Sequence, residues 1–103
     1  MSETAAPQER PAVRVVDNPA EERYEAWIGD EMAGAAYYEM RSPEHIVFVH
    51  TEVDDKFEGH GVGGALARGA LDDVRARGFK VTPLCPFISA WMRKHPEYED
   101  LHA

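Results

Sequence analysis

The chain has 103 residues, 44% of them hydrophobic and 29% charged, which suffices for one core and one domain but not two. Eleven Lys and Arg against nineteen Asp and Glu leave a net charge of −8. That balance argues against a nucleic-acid or membrane-surface role, since both call for a basic footprint. The acid is concentrated in residues 1–50, which hold 4 basic and 10 acidic side chains, against 7 and 9 in residues 51–103. An acidic half serves solubility, and it also attracts an amine or a basic peptide.

Cys85 is the single cysteine, so no internal disulfide forms and a reducing cytoplasm is the expected setting. The opening residues MSETAAPQERP have no apolar core and do not read as a signal peptide. No apolar run approaches the roughly 18 residues of a spanning helix. The expectation is a cytoplasmic monomer or weak dimer, with no nucleic-acid or membrane partner and no metal, since His45, His95 and His102 show no ligand spacing with Cys85.

Residues 1–11 are polar, carry Pro7 and Pro11, and read as a disordered tail; a single domain over 12–103 follows. Val13, Val15 and Val16 start a strand that stops at Asp17-Asn18-Pro19. Over Arg23 to Ile28, Tyr24, Ala26 and Ile28 alternate with Arg23, Glu25 and Trp27, the pattern of a half-buried strand. Gly29-Asp30 turns it into a hairpin with the next strand, Met32 to Met40, where Tyr37 and Tyr38 point to opposite faces. After Ser42-Pro43, His45 to Val53 contains Ile46-Val47-Phe48-Val49, a continuous run that predicts a strand buried on both faces.

From Gly61 the period changes. Val62, Leu66, Ala70, Leu71 and Val74 fall on one side of a helix over 61–77, which Gly78 is placed to cap. Phe79 to Leu84 reads as a strand, and Pro86 opens a short helix, Phe87 to Lys94. The order β-β-β-β-α-β-α describes a compact α/β (α+β) domain. An antiparallel meander leads into a parallel β-α-β unit with a right-handed crossover.

Glu58-Gly59-His60-Gly61-Val62-Gly63-Gly64 lies between a strand and a helix. A helix N-terminus offers unpaired N–H groups and partial positive charge, and glycines let the backbone close on a bulky anion. The same letters also make a tight turn with small residues for close packing. A triphosphate-binding loop is excluded, because Gly63-Gly64-Ala65 does not supply Gly-Lys-Ser/Thr. A dinucleotide fold is disfavoured by the preceding meander and by Leu84-Cys85-Pro86 where an acidic residue would stand.

His50-Thr51-Glu52-Val53, followed by Phe57-Glu58-Gly59-His60-Gly61-Val62-Gly63 and a helix carrying Leu66, resembles the acetyl-CoA-binding segment of the GNAT N-acetyltransferase superfamily. Residues 13–101 resemble its short, single-domain branch, which has a cysteine at the position of Cys85 and stops after one more helix. The resemblance implies that strands four and five splay and admit the pantetheine arm of acetyl-CoA. It implies backbone contacts to that arm from Thr51, Glu52 and Val53, and a pyrophosphate held by the N–H groups of Gly59, His60, Gly61, Val62, Gly63 and Gly64. The superfamily usually has Arg or Gln where Glu58 stands; a carboxylate there repels phosphate by about 1 kcal/mol at a wet surface. No tyrosine lies in Pro86 to Lys94, where larger members place a general acid.

Acetyl transfer to an amine needs a base for the ammonium proton and an acid for the leaving thiolate, and direct attack needs no protein nucleophile. His50 and Glu52 are the candidate bases. Cys85 is a candidate nucleophile or acid, or a residue lining the thioester pocket, or a small buried hydrophobe. The expected function is acetyl-CoA-dependent N-acetylation of a small amine or a peptide or protein lysine. A CoA-binding or sensing module with little turnover is the alternative.

Overall fold

The computed structural model describes residues 12–103; the tail expected over 1–11 lies outside them. The elements are β1 (Arg14–Asn18), β2 (Arg23–Ile28), β3 (Glu31–Ser42), β4 (His45–Val53), α1 (Val62–Ala76), β5 (Lys80–Pro83) and α2 (Pro86–Lys94), with a 3-10 segment over Pro96–Leu101. The five strands form one sheet in the order β1-β2-β3-β4-β5. The first four are antiparallel neighbours and β5 runs parallel to β4. This is the predicted meander and β-α-β unit, the crossover being α1.

Local chemistry explains the breaks. Asn18 accepts a hydrogen bond from the Glu21 N–H at 3.4 Å and Pro19 opens a single 3-10 turn, so β1 cannot run on into β2. At the C-terminus of α1, Gly78 takes φ 75° and the Phe79 N–H donates to the Val74 carbonyl at 3.0 Å, closing the helix as expected.

Both helices lie over one face of the sheet. There Tyr24, Ala26, Phe48, Val81 and Ile88 enclose the apolar stripe Val62, Leu66, Ala70, Leu71 and Val74 of α1. Full burial of such side chains stabilises the fold by about 1.5–3 kcal/mol each. The Tyr24 hydroxyl donates to Asp73 and the Tyr38 hydroxyl to Asp17, each at 2.6 Å. Arg77 sits 3.0 Å from both carboxylates. Burial and the adjacent carboxylates push both phenols above their ordinary range.

The expectation that β4 is buried on both faces holds only for Ile46, Val47 and Phe48; Val49, His50, Glu52 and Val53 are exposed. The reason is the neighbour. Pairing with β5 ends at Phe48↔Pro83, and the second half of β4 runs on alone along that edge.

Candidate active site

The site begins where the two parallel strands part. The Phe48 carbonyl accepts from both the Leu84 and Cys85 N–H groups, at 2.9 and 3.0 Å, and among the described residues no backbone pairing follows on that side. One residue further along, the β3–β4 register slips: Tyr38 faces Phe48, Tyr37 faces His50, and Val49 is the extra residue of a bulge. Beyond it the Asp54 N–H donates to the Ala33 carbonyl at 2.8 Å. By the alternation of an extended chain, the main-chain groups of Thr51 and Val53 then point away from β3 and into the gap. An extended amide chain of pantetheine type fits such an edge.

The glycine segment stands at the same end of β4. Gly61 is the N-cap of α1 in the left-handed region at φ 73°, and no side chain caps the helix. The first-turn N–H groups, those of Val62, Gly63 and Gly64, have no intrahelical carbonyl to serve, and this suits an anion. Gly59 also has positive φ, and a Cβ there would meet nothing within 4 Å. Gly63 has a separate reason to be glycine: a Cβ would stand 2.9 Å from the Phe87 ring. His60 Nδ1 lies 3.1 Å from the Phe57 carbonyl. Glu58 is exposed.

Cys85 is the N-cap of α2. Its sulfur accepts from the Ile88 N–H at 3.4 Å and lies 3.0 Å from Thr51 Oγ1. The pair ties β4 to the start of α2 across the mouth of the gap. Only 1% of Cys85 is exposed. Leu84 and Phe87, on either side of Cys85-Pro86, and Val49 and Val53 of β4 are exposed apolar side chains.

His50 and Glu52 are not beside Cys85. Their partners in register are Tyr37 and Ala35, so they project from the opposite face. His50 Nε2 is 3.0 Å from Glu52 Oε2, with both side chains more than half exposed. A carboxylate only accepts, so Nε2 carries the hydrogen of this bond, and Nδ1 is the nitrogen left facing away from it. Tyr37 stacks on the His50 ring at 5.9 Å between centroids. Beside them lies a cleft of about 430 Å³, lined by Met32, Ala33, Gly34, Ala35, Tyr37, Glu52, Val53, Asp54 and Asp55. Tyr38 is the buried member of the tyrosine pair, as the alternation required.

The structure therefore divides the sequence candidates between two faces. Thr51, Cys85 and the glycine segment belong to the helix side of the gap; His50 and Glu52 belong to the other, and the acidic cleft opens at the end of β4, lined from both sides, by Val53 and by Tyr37 and Glu52. Sequence reasoning missed Phe87, Glu25 and Arg23. Glu25 has a signal in hindsight: on an alternating strand, the donors Arg23 and Trp27 flank it at i−2 and i+2.

Three kinds of likeness bear on this arrangement. Protein NATD1 of Xenopus tropicalis is 32% identical over 59 residues, which is 57% of this chain and 54% of that protein, so the match spans about half of that relative's length. A solution structure of a Staphylococcus aureus protein described as GCN5-like superposes with a TM-score of 0.66 at 24% identity, covering 87% of each chain. Ard1 from Thermoplasma volcanium gives 0.52 at 22% identity, over 60% of this chain and 43% of that one. The two structures share the fold. The model of the GCN5-related N-acetyl-transferase family matches residues 23–101, a span running from β2 through the splayed strands to the last 3-10 turn, and the chain belongs to that family.

Proposed function

We propose that this protein transfers an acetyl group from acetyl-CoA to a primary amine. The observation that carries the reading is the parting of β4 from β5 after Phe48, followed at the end of β4 by a helix whose N-cap is Gly61 with no side-chain cap bond. When bound, acetyl-CoA supplies the acetyl thioester. The main-chain groups of Thr51 and Val53 pair with the pantetheine amides, and the N–H groups of Val62, Gly63 and Gly64 hold the pyrophosphate. The carboxylates of Glu52, Asp54 and Asp55 draw a cationic amine into the cleft. His50, oriented by Glu52, takes the ammonium proton on Nδ1. Cys85 lines the gap and caps α2; its burial and its two sulfur contacts leave it no room as a nucleophile.

Thermal shift with CoA tests the first half. At ligand one hundred times its dissociation constant the stabilisation is about 2.7 kcal/mol. Gly61→Val, which puts a β-branched residue at positive φ, abolishes it, while Cys85→Ala retains it. Release of free thiol from acetyl-CoA in the presence of an amine panel tests the second half. No shift at millimolar CoA overturns the proposal; a shift without turnover on any amine reduces the protein to a CoA-binding module.

A further inference from the structure

The face that carries His50 also carries the one buried charged side chain among the described residues, Glu25, only 5% exposed. Its carboxylate accepts from Asn18 Nδ2 at 2.8 Å, Arg23 Nε at 2.7 Å and Trp27 Nε1 at 3.1 Å. Burying a carboxylate is costly unless donors meet it, and for stability alone an apolar residue does as well. What the three donors achieve is the fixing of Arg23.

The register then shows what Arg23 is fixed against. Asn18, Arg23, Tyr37 and His50 form one row across four strands, and Val16, Glu25, Ala35 and Glu52 form the next. Arg23 Nη1 reaches the Tyr37 hydroxyl at 3.5 Å, with its guanidinium carbon 5.8 Å from the ring centroid. Tyr37 stacks on His50 with 25° between the planes, and His50 donates to Glu52. The His50–Glu52 pair is exposed, and an exposed pair by itself holds a side chain weakly. The stack is the second constraint on the imidazole, and Tyr37 is held at its far end by Arg23.

We propose that Glu25 is a positioning residue: through Arg23 and Tyr37 it braces the His50 ring at the edge of the acidic cleft. The functional consequence rests on His50 being the base; the brace itself does not.

Proton–carbon NMR of the His50 ring in the free protein, assigned with His50→Gln, tests the brace without any ligand. The wild-type ring protons are displaced by the Tyr37 ring current. Tyr37→Leu abolishes the displacement. Arg23→Met, Glu25→Gln and Tyr37→Phe each reduce it, and the double variant Arg23→Met/Tyr37→Phe reduces it no further than either single change, because both break one link. In transfer assays with the best amine of the panel, Arg23→Met lowers kcat by about tenfold, with KM for acetyl-CoA unchanged. Should Glu25→Gln fail to fold, Arg23→Met, altered at a partly exposed position, carries the measurement. Unmoved His50 resonances in folded Arg23→Met, or additive shifts in the double variant, overturn the brace. Moved resonances together with full transfer activity in His50→Gln uphold the brace and remove His50 as the base.

Discussion

A carboxylate that meets three donors and little water holds its charge further into acid than a free glutamate does. Burial pushes the Glu25 carboxyl up, but the hydrogen bonds from Asn18, Arg23 and Trp27 outweigh it, and the net result lies below the ordinary 4.5. Between the lowered value and the ordinary one, the unfolded chain binds a proton that the folded chain refuses. Stability therefore rises with pH across that window and is lost as pH falls through the folded value. Glu25→Gln removes this dependence. Its melting temperature is lower than wild type at neutral pH, and the gap narrows as the solution is acidified below about pH 4.5. Melting curves that stay parallel from neutral to acid pH would show that the Glu25 carboxyl titrates alike in the folded and unfolded chain. Gly63 teaches a different lesson at this scale. Its place in the glycine run suggests phosphate binding, but the Phe87 ring already stands 2.9 Å from where a Cβ would go. The letter alone could not separate the two reasons, because the ring arrives from an element twenty-four residues away.

Among elements, α1 was the most legible, since five apolar side chains at helical spacing and a glycine at each end leave little choice. Its packing was not. Gly69 in the middle of the helix lies against β1: a Cβ there would stand 2.7 Å from the Val15 Cβ. Replacing a helix glycine by alanine gains about 1 kcal/mol in propensity, but forcing a methyl into a filled contact costs about 1–3 kcal/mol. Val15 is rooted in a strand and cannot swing aside, so the second term wins. Gly69→Ala is expected to lower the midpoint of denaturant unfolding with an unchanged slope; a raised midpoint would mean that β1 yields easily. Strand β4 shows why half of the site was hidden. Regular alternation from Phe48 would place His50 and Glu52 on the helix face with Cys85. The bulge at Val49 sends them to the other face and turns Thr51 toward Cys85 instead. Ile46-Val47-Phe48-Val49 is apolar throughout, so no break in period betrays the extra residue.

At the scale of the whole molecule, one layer of helices over one sheet leaves the second face of that sheet free to carry chemistry. The glycine segment, Thr51 and Cys85 stand on one side of β4, and Tyr37, His50 and Glu52 on the other, with the acidic cleft at the strand's end. The charge of −8 is spread over a small domain, so attraction of a cationic acceptor is screened within about 8–10 Å at physiological ionic strength and weakens with added salt.

The separation of the two faces has a consequence for the order of events. Under the proposed function, a cosubstrate entering along the gap and an acceptor entering beside His50 take separate routes, so neither need leave before the other arrives. On the proposed reaction both orders of addition lead to one ternary complex, and with Cys85 only 1% exposed at the N-cap of α2 no acylated protein is expected in between. Initial rates at several fixed amine concentrations, plotted reciprocally against acetyl-CoA, are therefore expected to intersect. Parallel lines would reveal a substituted-enzyme mechanism, with an acetyl group parked on the protein and the first product gone before the second substrate binds.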